Sequence, residues 1–130
     1  MGIVVDTDIL IDLLRKKEYA IDKIKELENK DELATTDINA FELYFGAYNS
    51  KEKNRNLSST RGLLKTLTLL HTHEGSMEIA GRLLAERKAR GRLIEIRDLL
   101  IAAVTLQKGY NLLTGNMEHF RGIEGLVLVD

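Results

Sequence analysis

Cysteine is absent from the 130 residues, so the chain can build no disulfide framework, no thiolate nucleophile and no cysteine-based zinc or iron–sulfur site. Proline is missing too, an absence that points to no particular function. Nowhere do about 18 apolar residues run together, and the opening Met1-Gly2-Ile3-Val4-Val5-Asp6 has neither a basic stretch ahead of an apolar run nor a cleavage-site pattern. The expectation is a cytoplasmic protein with no membrane partner. An excess of one charge is also lacking: 19 Lys and Arg stand against 20 Asp and Glu, a net charge of −1. Nothing global draws such a chain onto nucleic acid, so any contact with RNA must be local.

What is present suits one folded domain. Apolar residues make up 44% of the chain, enough for a real core at this length, and residues 1–130 are expected to form a single domain without linker or repeat. Gly2 to Val5 is a short β-branched run that stops at Asp6, which reads as a buried strand and a turn. Ile9, Leu10, Leu13 and Leu14 then recur at helical spacing, as do Ile21, Ile24 and Leu27 in a second helix ending near Asn29. Leu33 to Thr36 reads as a second strand, with Thr36 or Asp37 capping the next helix. Further helices are predicted over Asn54–Leu67, Ser76–Ala89 and from Asp98 to a stop at Gly109, with strands at Thr68–Thr72, Tyr110–Thr114 and Leu126–Val129. Short apolar strands alternating with helices imply an α/β fold, a central parallel sheet of about four to five short strands flanked by helices.

In open parallel sheets, sites form beyond the carboxyl ends of the strands. Asp6 follows the first strand, Glu42 lies about one turn into the helix after the second, and Thr114-Gly115-Asn116 follows the strand at Tyr110. Asp98 opens a helix, where the dipole favours a carboxylate. Asp98 and Asp8 also read as simple helix caps. Glu42 is harder to explain structurally, because it lies off the aromatic stripe, beside Asn39 and Gly46, on a face neither wholly apolar nor heavily charged.

Four segments in order resemble one family. Val4-Val5-Asp6-Thr7-Asp8-Ile9-Leu10-Ile11 looks like the opening strand and turn of PIN-domain nucleases. Asn39-Ala40-Phe41-Glu42-Leu43-Tyr44-Phe45-Gly46 resembles their second acidic motif, Asp98-Leu99-Leu100-Ile101-Ala102-Ala103 their third and Leu113-Thr114-Gly115-Asn116-Met117-Glu118-His119-Phe120 their fourth. The short single-domain form is most similar to VapC-type toxins of toxin–antitoxin pairs. That resemblance implies a three-layer sandwich and a Mg²⁺- or Mn²⁺-dependent endoribonuclease, commonly a homodimer, held inactive by a small antitoxin. It also implies Asp6, Glu42 and Asp98 as metal-site acids, Asn116 in the fourth position, and Thr7 and Thr114 as supporting hydroxyls. Asn116 stands where an acid is often found and brings no charge. The chemistry agrees: phosphodiester hydrolysis needs an activated water and stabilised phosphoryl charge, both supplied by hard cations that take oxygen ligands.

Other groups have competing readings. His71 and His73, two apart, would share a strand face and suit zinc, but no third ligand is near and no HExxH occurs. His119 follows Asn116 closely enough to reach a phosphate, or else lies on the surface. Glu95, three residues before Asp98, reads as a solvent-exposed residue of the Gly91 to Arg97 loop or as an acid facing the same cleft. Glu78, Arg82, Glu86 and Arg90 alternate in sign at i, i+4, the mark of a self-paired helix face, which leaves Arg92 and Arg97, flanking the loop before Asp98, as the candidate RNA contacts. Phe41, Tyr44, Phe45 and Tyr48 form a stripe expected in the core; the other reading gives Phe45 and Tyr48 to a groove for an antitoxin helix. A signalling receiver domain has the same length and type, but residues 51–60, KEKNRNLSST, hold no acid-ended strand where it needs one. An RNA-processing nuclease without an antitoxin, or a binding module weakened by Asn116, shares every one of these sequence features.

Overall fold

Four short parallel strands carry the site in the computed structural model, which describes all of residues 1–130. Strand β1 (Gly2–Val5) is buried along its whole length. It pairs with β2 (Glu32–Thr36) on one side and β4 (Asn111–Leu113) on the other, and β3 (Thr68–Leu70) completes the order β3-β2-β1-β4. The pleat sends alternate side chains to opposite faces, and two cores result. Val4, Ala34 and Leu112 pack with α5 (Glu74–Ala89), α6 (Ile96–Lys108) and Phe120. Ile3, Val5 and Leu113 pack with α1 (Thr7–Leu14), α2 (Glu18–Glu28) and Leu43 of α3 (Asp37–Tyr48). Helices therefore cover both faces, and the expected three-layer α/β sandwich is what forms.

Successive strands step outward from β1 to β2 to β3, and the chain then returns to lay β4 on the other side of β1. That reversal leaves a crevice at the carboxyl ends of β1 and β4. Asp6 stands at its edge, and its N–H still donates to Leu113 O at 2.9 Å, one rung past the paired strands.

Several boundaries differ from the sequence-based expectation. Helix α6 starts at Ile96, with Glu95 at the N-cap, so Asp98 lies inside the first turn and does not cap it. Helix α4 (Lys53–Leu64) stops short of Leu67, and α5 starts at Glu74 because His73 and Ser76 form a reciprocal cap. The expected strand at Leu126–Val129 shrinks to one bridge, Leu112↔Leu128, held by Leu112 N–H to Val127 O at 2.9 Å and Val129 N–H to Leu112 O at 2.8 Å. A short helix, α7 (Met117–Phe120), is too brief at four residues for periodicity to reveal.

Candidate functional site

The site is organised by Asp6, which is 4% exposed. As N-cap of α1 it accepts the Thr7 N–H on Oδ1 at 2.8 Å. Asn39 Nδ2 donates to the same oxygen at 3.0 Å, and the Thr114 hydroxyl donates to Oδ2 at 2.7 Å. Strand β1, helix α3 and the turn after β4 thus converge on one carboxylate. Burial pushes its pKa up to about 6. The charges of Asp8 and Asp98 add to that push, while the hydrogen bonds from Thr114 and Thr7 oppose it.

Asn39 is the joint between the first two acids. Its Oδ1 accepts the Thr36 N–H at 3.1 Å and the Thr36 hydroxyl at 2.7 Å, while the Thr36 hydroxyl accepts the Asn39 N–H. This reciprocal cap fixes the start of α3. The amide NH₂ is then free to reach Asp6 and, at 2.9 Å, Thr7 Oγ1. Thr7 passes its own proton on to Glu42 Oε1 at 2.6 Å. An unbroken chain Asp6–Asn39–Thr7–Glu42 therefore sets the spacing of two acids that are 36 positions apart in sequence.

Asp98 enters from α6, and its Oδ2 lies 3.0 Å from Nδ1 of His119 on α7. Arg97 stands beside it, with Nη1 3.6 Å from Glu42 Oε2 and Nη2 3.2 Å from Glu95 Oε1. Those two carboxylates, Glu95 first, hold the guanidinium more firmly protonated. As the side chains stand, no three acids or histidines close around a common ion position: Glu42 is engaged by Arg97 and Asp98 by His119.

The donor set nevertheless suits a hard divalent cation. It is all oxygen on its acidic side, and a buried carboxylate whose proton is retained up to about pH 6 is a group whose charge lacks a nearby counter-ion. A cation at the mouth of the crevice would supply one.

Sequence reasoning misses two members of this cluster. Asp8 does not cap α1; it sits in its first turn, half-buried, accepting Ile9 N–H on Oδ1 at 2.8 Å and Gly115 N–H on Oδ2 at 2.9 Å. Burial raises its pKa, against the pull of those two bonds. The approach is so close that a Cβ on Gly115 would fall 2.5 Å from Asp8 Oδ2, which explains a glycine there. Asn39 stands out in the sequence only as a neighbour of Glu42, although Thr36-x-x-Asn39 follows the capping-box spacing and could have marked it.

Other expected members take different places. Thr7 and Thr114, expected to support the metal site and substrate, have hydroxyls committed to Glu42 and Asp6, so they position the acids. Asn116 is exposed, with its N–H on Thr114 Oγ1 at 3.0 Å. Arg92 pairs with none of these acids and lies against Gly122. His71 and His73 both lie beyond β3; His73 caps α5 through Nδ1, so the shared strand face that zinc needed does not exist.

The profile of the PIN domain family matches residues 3–125. The chain is a PIN domain. It is 31% identical over 117 residues to Ribonuclease VapC19 of Mycobacterium tuberculosis, covering 89% of this chain and 90% of that one. It is 28% identical over 121 residues to Ribonuclease VapC2 of Haemophilus influenzae, covering 93% and 91%. In three dimensions it superposes on VapBC2 from Rickettsia felis, solved bound to a DNA fragment from its promoter, with a TM-score of 0.93 at 25% identity over 99% of this chain and 98% of that one. This PIN domain therefore belongs with the VapC ribonucleases. No helix in it is long and apolar enough to cross a membrane.

Proposed function

We propose that this PIN domain is a divalent-metal-dependent endoribonuclease, the toxin of a toxin–antitoxin pair. The observation that carries the reading is Asp6: a carboxylate buried at the strand crossover, pushed up to about 6 and tied through Asn39 and Thr7 to Glu42, with Asp98 close enough to add to the push. Asp6, Glu42 and Asp98 would hold Mg²⁺ or Mn²⁺. When bound, such an ion lowers the pKa of water and neutralises phosphoryl charge. Asp8, anchored on Gly115, brings beside Asn116 the negative charge that Asn116 lacks.

The chain's own residues prepare the rest. Asn39 and Thr114 fix the plane of the Asp6 carboxylate, so neither oxygen has to reorganise when charge arrives. His119 has Nδ1 on Asp98, which leaves Nε2 free: the imidazolium would donate there to a phosphate or leaving oxygen, and the neutral ring would accept a proton. Arg97, exposed beside Glu42, offers a guanidinium to a phosphate once Glu42 turns to a cation.

Two surfaces fit the partners of such a toxin. Phe41, Phe45 and Tyr48 are 59%, 59% and 57% exposed, so the stripe expected in the core lies open on α3 and suits a second copy of the chain. On the opposite side of α3, Leu43 and Ala47 line a cleft of about 520 Å³ with Ile11, Leu14, Arg15 and Arg55. Apolar walls with a cationic rim suit an acidic amphipathic antitoxin segment there; Phe45 and Tyr48 face away from it. Sedimentation is expected to give the mass of a dimer.

Glu42→Gln and Asp98→Asn should each abolish Mn²⁺-dependent cleavage of a single-stranded RNA while keeping the wild-type circular dichroism spectrum. Cleavage at wild-type rate in both variants, or in excess EDTA, would overturn the reading.

A further inference from the structure

The end of helix α5 collects more positive charge than the fold uses. Arg82, Arg87, Lys88, Arg90, Arg92 and Arg121 gather with three acids, Glu86, Glu118 and Glu124, in a chain whose net charge is −1. Glu86 is taken by Arg82 at 3.2 Å and Glu118 by Arg121. Arg87, Lys88, Arg90 and Arg92 have no acid partner. The alternating pattern offers Glu86 to Arg90 as well, but one carboxylate turned to Arg82 does not serve both. Two of the four cations favour the α5 dipole from its last turn, and a basic helix end needs no more than that.

Their placement follows from the backbone. Gly91, at φ +68°, closes α5 with the paired bonds Arg92 N–H to Arg87 O at 2.9 Å and Gly91 N–H to Lys88 O at 3.1 Å. That motif fixes Arg92 beside Arg87. Arg87 Nη2 donates to Arg121 O at 3.0 Å, and the Arg92 guanidinium lies over Gly122, where a Cβ would come within 3.7 Å of it. Arg121 and Gly122 directly follow α7, whose His119 touches Asp98. The basic corner and the acidic cleft are thus two ends of one short helix and its turn.

We propose that Arg87, Lys88, Arg90 and Arg92 form a phosphate track that carries the RNA strand away from the scissile bond. The substrate's identity rests on the ribonuclease reading above. The physical need is plain: Asp6, Asp8, Glu42 and Asp98 repel a polyanion, and nothing in the chain's net charge offsets this. A row of cations beside the cleft, Lys88, Arg90 and Arg92 exposed and Arg87 partly buried, holds the flanking phosphates and lets the acids meet only one of them. An acidic helical segment could anchor on Leu93, 90% exposed next to Arg92, so the peptide arm of the test separates that occupant from RNA.

The test compares wild type with Lys88→Ala/Arg90→Ala/Arg92→Ala, three side chains that make no hydrogen bond within the fold. Lys25→Gln on α2 serves as a charge control, and thermal melts check folding. For a long single-stranded RNA, KM is expected to rise about tenfold, and the slope of log KM on log salt to fall by about 2, roughly 0.7 for each phosphate left without its cation. Turnover of a dinucleotide, too short to reach the track, should stay at wild-type rate. Arg90→Lys/Arg92→Lys should keep the wild-type salt slope, and Arg87→Gln should lower it further while Arg87→Lys does not. Unchanged KM and slope for the long RNA in the triple variant overturn the proposal, as does a variant that keeps its RNA affinity but no longer captures an acidic helical peptide. If wild type cleaves no RNA with Mn²⁺, the ribonuclease reading has failed; RNA binding by fluorescence anisotropy in EDTA then decides the track alone, and equal salt slopes for wild type and variant overturn it.

Discussion

Asp6→Asn is expected to stop RNA cleavage and, without metal, to make the protein more stable. The first effect follows from losing a charged ligand at the centre of the cluster, worth several kcal/mol or about 10³-fold in kcat/KM. The second follows from the raised pKa. The unfolded carboxyl ionises near 3.8 and the folded one near 6, so between those values the native state holds the extra proton. Stability conferred by this site is therefore full below about pH 4 and is lost as pH rises through 6, at a cost of about 3 kcal/mol. Asparagine keeps the fold's hydrogen bonds, because its amide NH₂ can donate to Thr114 Oγ1 and its oxygen can accept from Thr7 and Asn39. In EDTA at pH 8 the variant should melt about 5–10 °C above wild type. Excess Mg²⁺ should then raise the melting point of wild type and leave that of the variant nearly unmoved. A variant less stable than wild type in EDTA at pH 8, and equally responsive to Mg²⁺, would show that Asp6 is no ion ligand.

Asn39→Ala should be damaging in the opposite way. The side chain is fully buried and donates or accepts in four hydrogen bonds, to Thr36, Asp6 and Thr7. Removing it leaves Asp6 Oδ1, Thr7 Oγ1 and the Thr36 N–H short of partners inside the protein, which costs about 3–5 kcal/mol. Urea unfolding should show this as a lower midpoint with unchanged slope. Activity should fall even where the variant is fully folded, since Glu42 loses its tether to Asp6. Asn39→Asp should be no milder, because it places a second carboxylate against Asp6 and deletes both amide donors. A stability within about 0.5 kcal/mol of wild type for Asn39→Ala would mean that the α3 cap does not depend on this side chain.

How far the sequence reads through depends on the range of the interaction. Strand β1, the periodic helices and the placement of Asp6, Glu42 and Asp98 along them are legible, because a buried run ending at Asp6 and an acid off the stripe at Glu42 are local facts. Asp8 misleads because a carboxylate before a helix is usually its cap; here Asp6 takes the cap, and Asp8 reaches 107 positions along the chain to Gly115. Asn39 presents the same difficulty, since its two most important partners, Asp6 and Thr7, belong to another element. The aromatic stripe fails for a different reason. Periodicity shows that Phe41, Phe45 and Tyr48 share a face, but it does not say whether the chain itself or another molecule covers that face. On α5 the i, i+4 rule offers Glu86 two arginines, and only geometry can say that Arg82 wins.

The strand order has a consequence for when activity begins. Asp8 is made 107 residues before its partner Gly115, which follows the last strand of the sheet to be added. Until β4 slides in beside β1, Asp6 lacks the Thr114 hydroxyl, Asp8 lacks its backbone donor, and His119 has not met Asp98. A nascent or truncated chain that ends before this strand carries every acid and still has no assembled centre. The centre closes only once β1 and β4, separated along the chain by two strands and six helices, lie side by side.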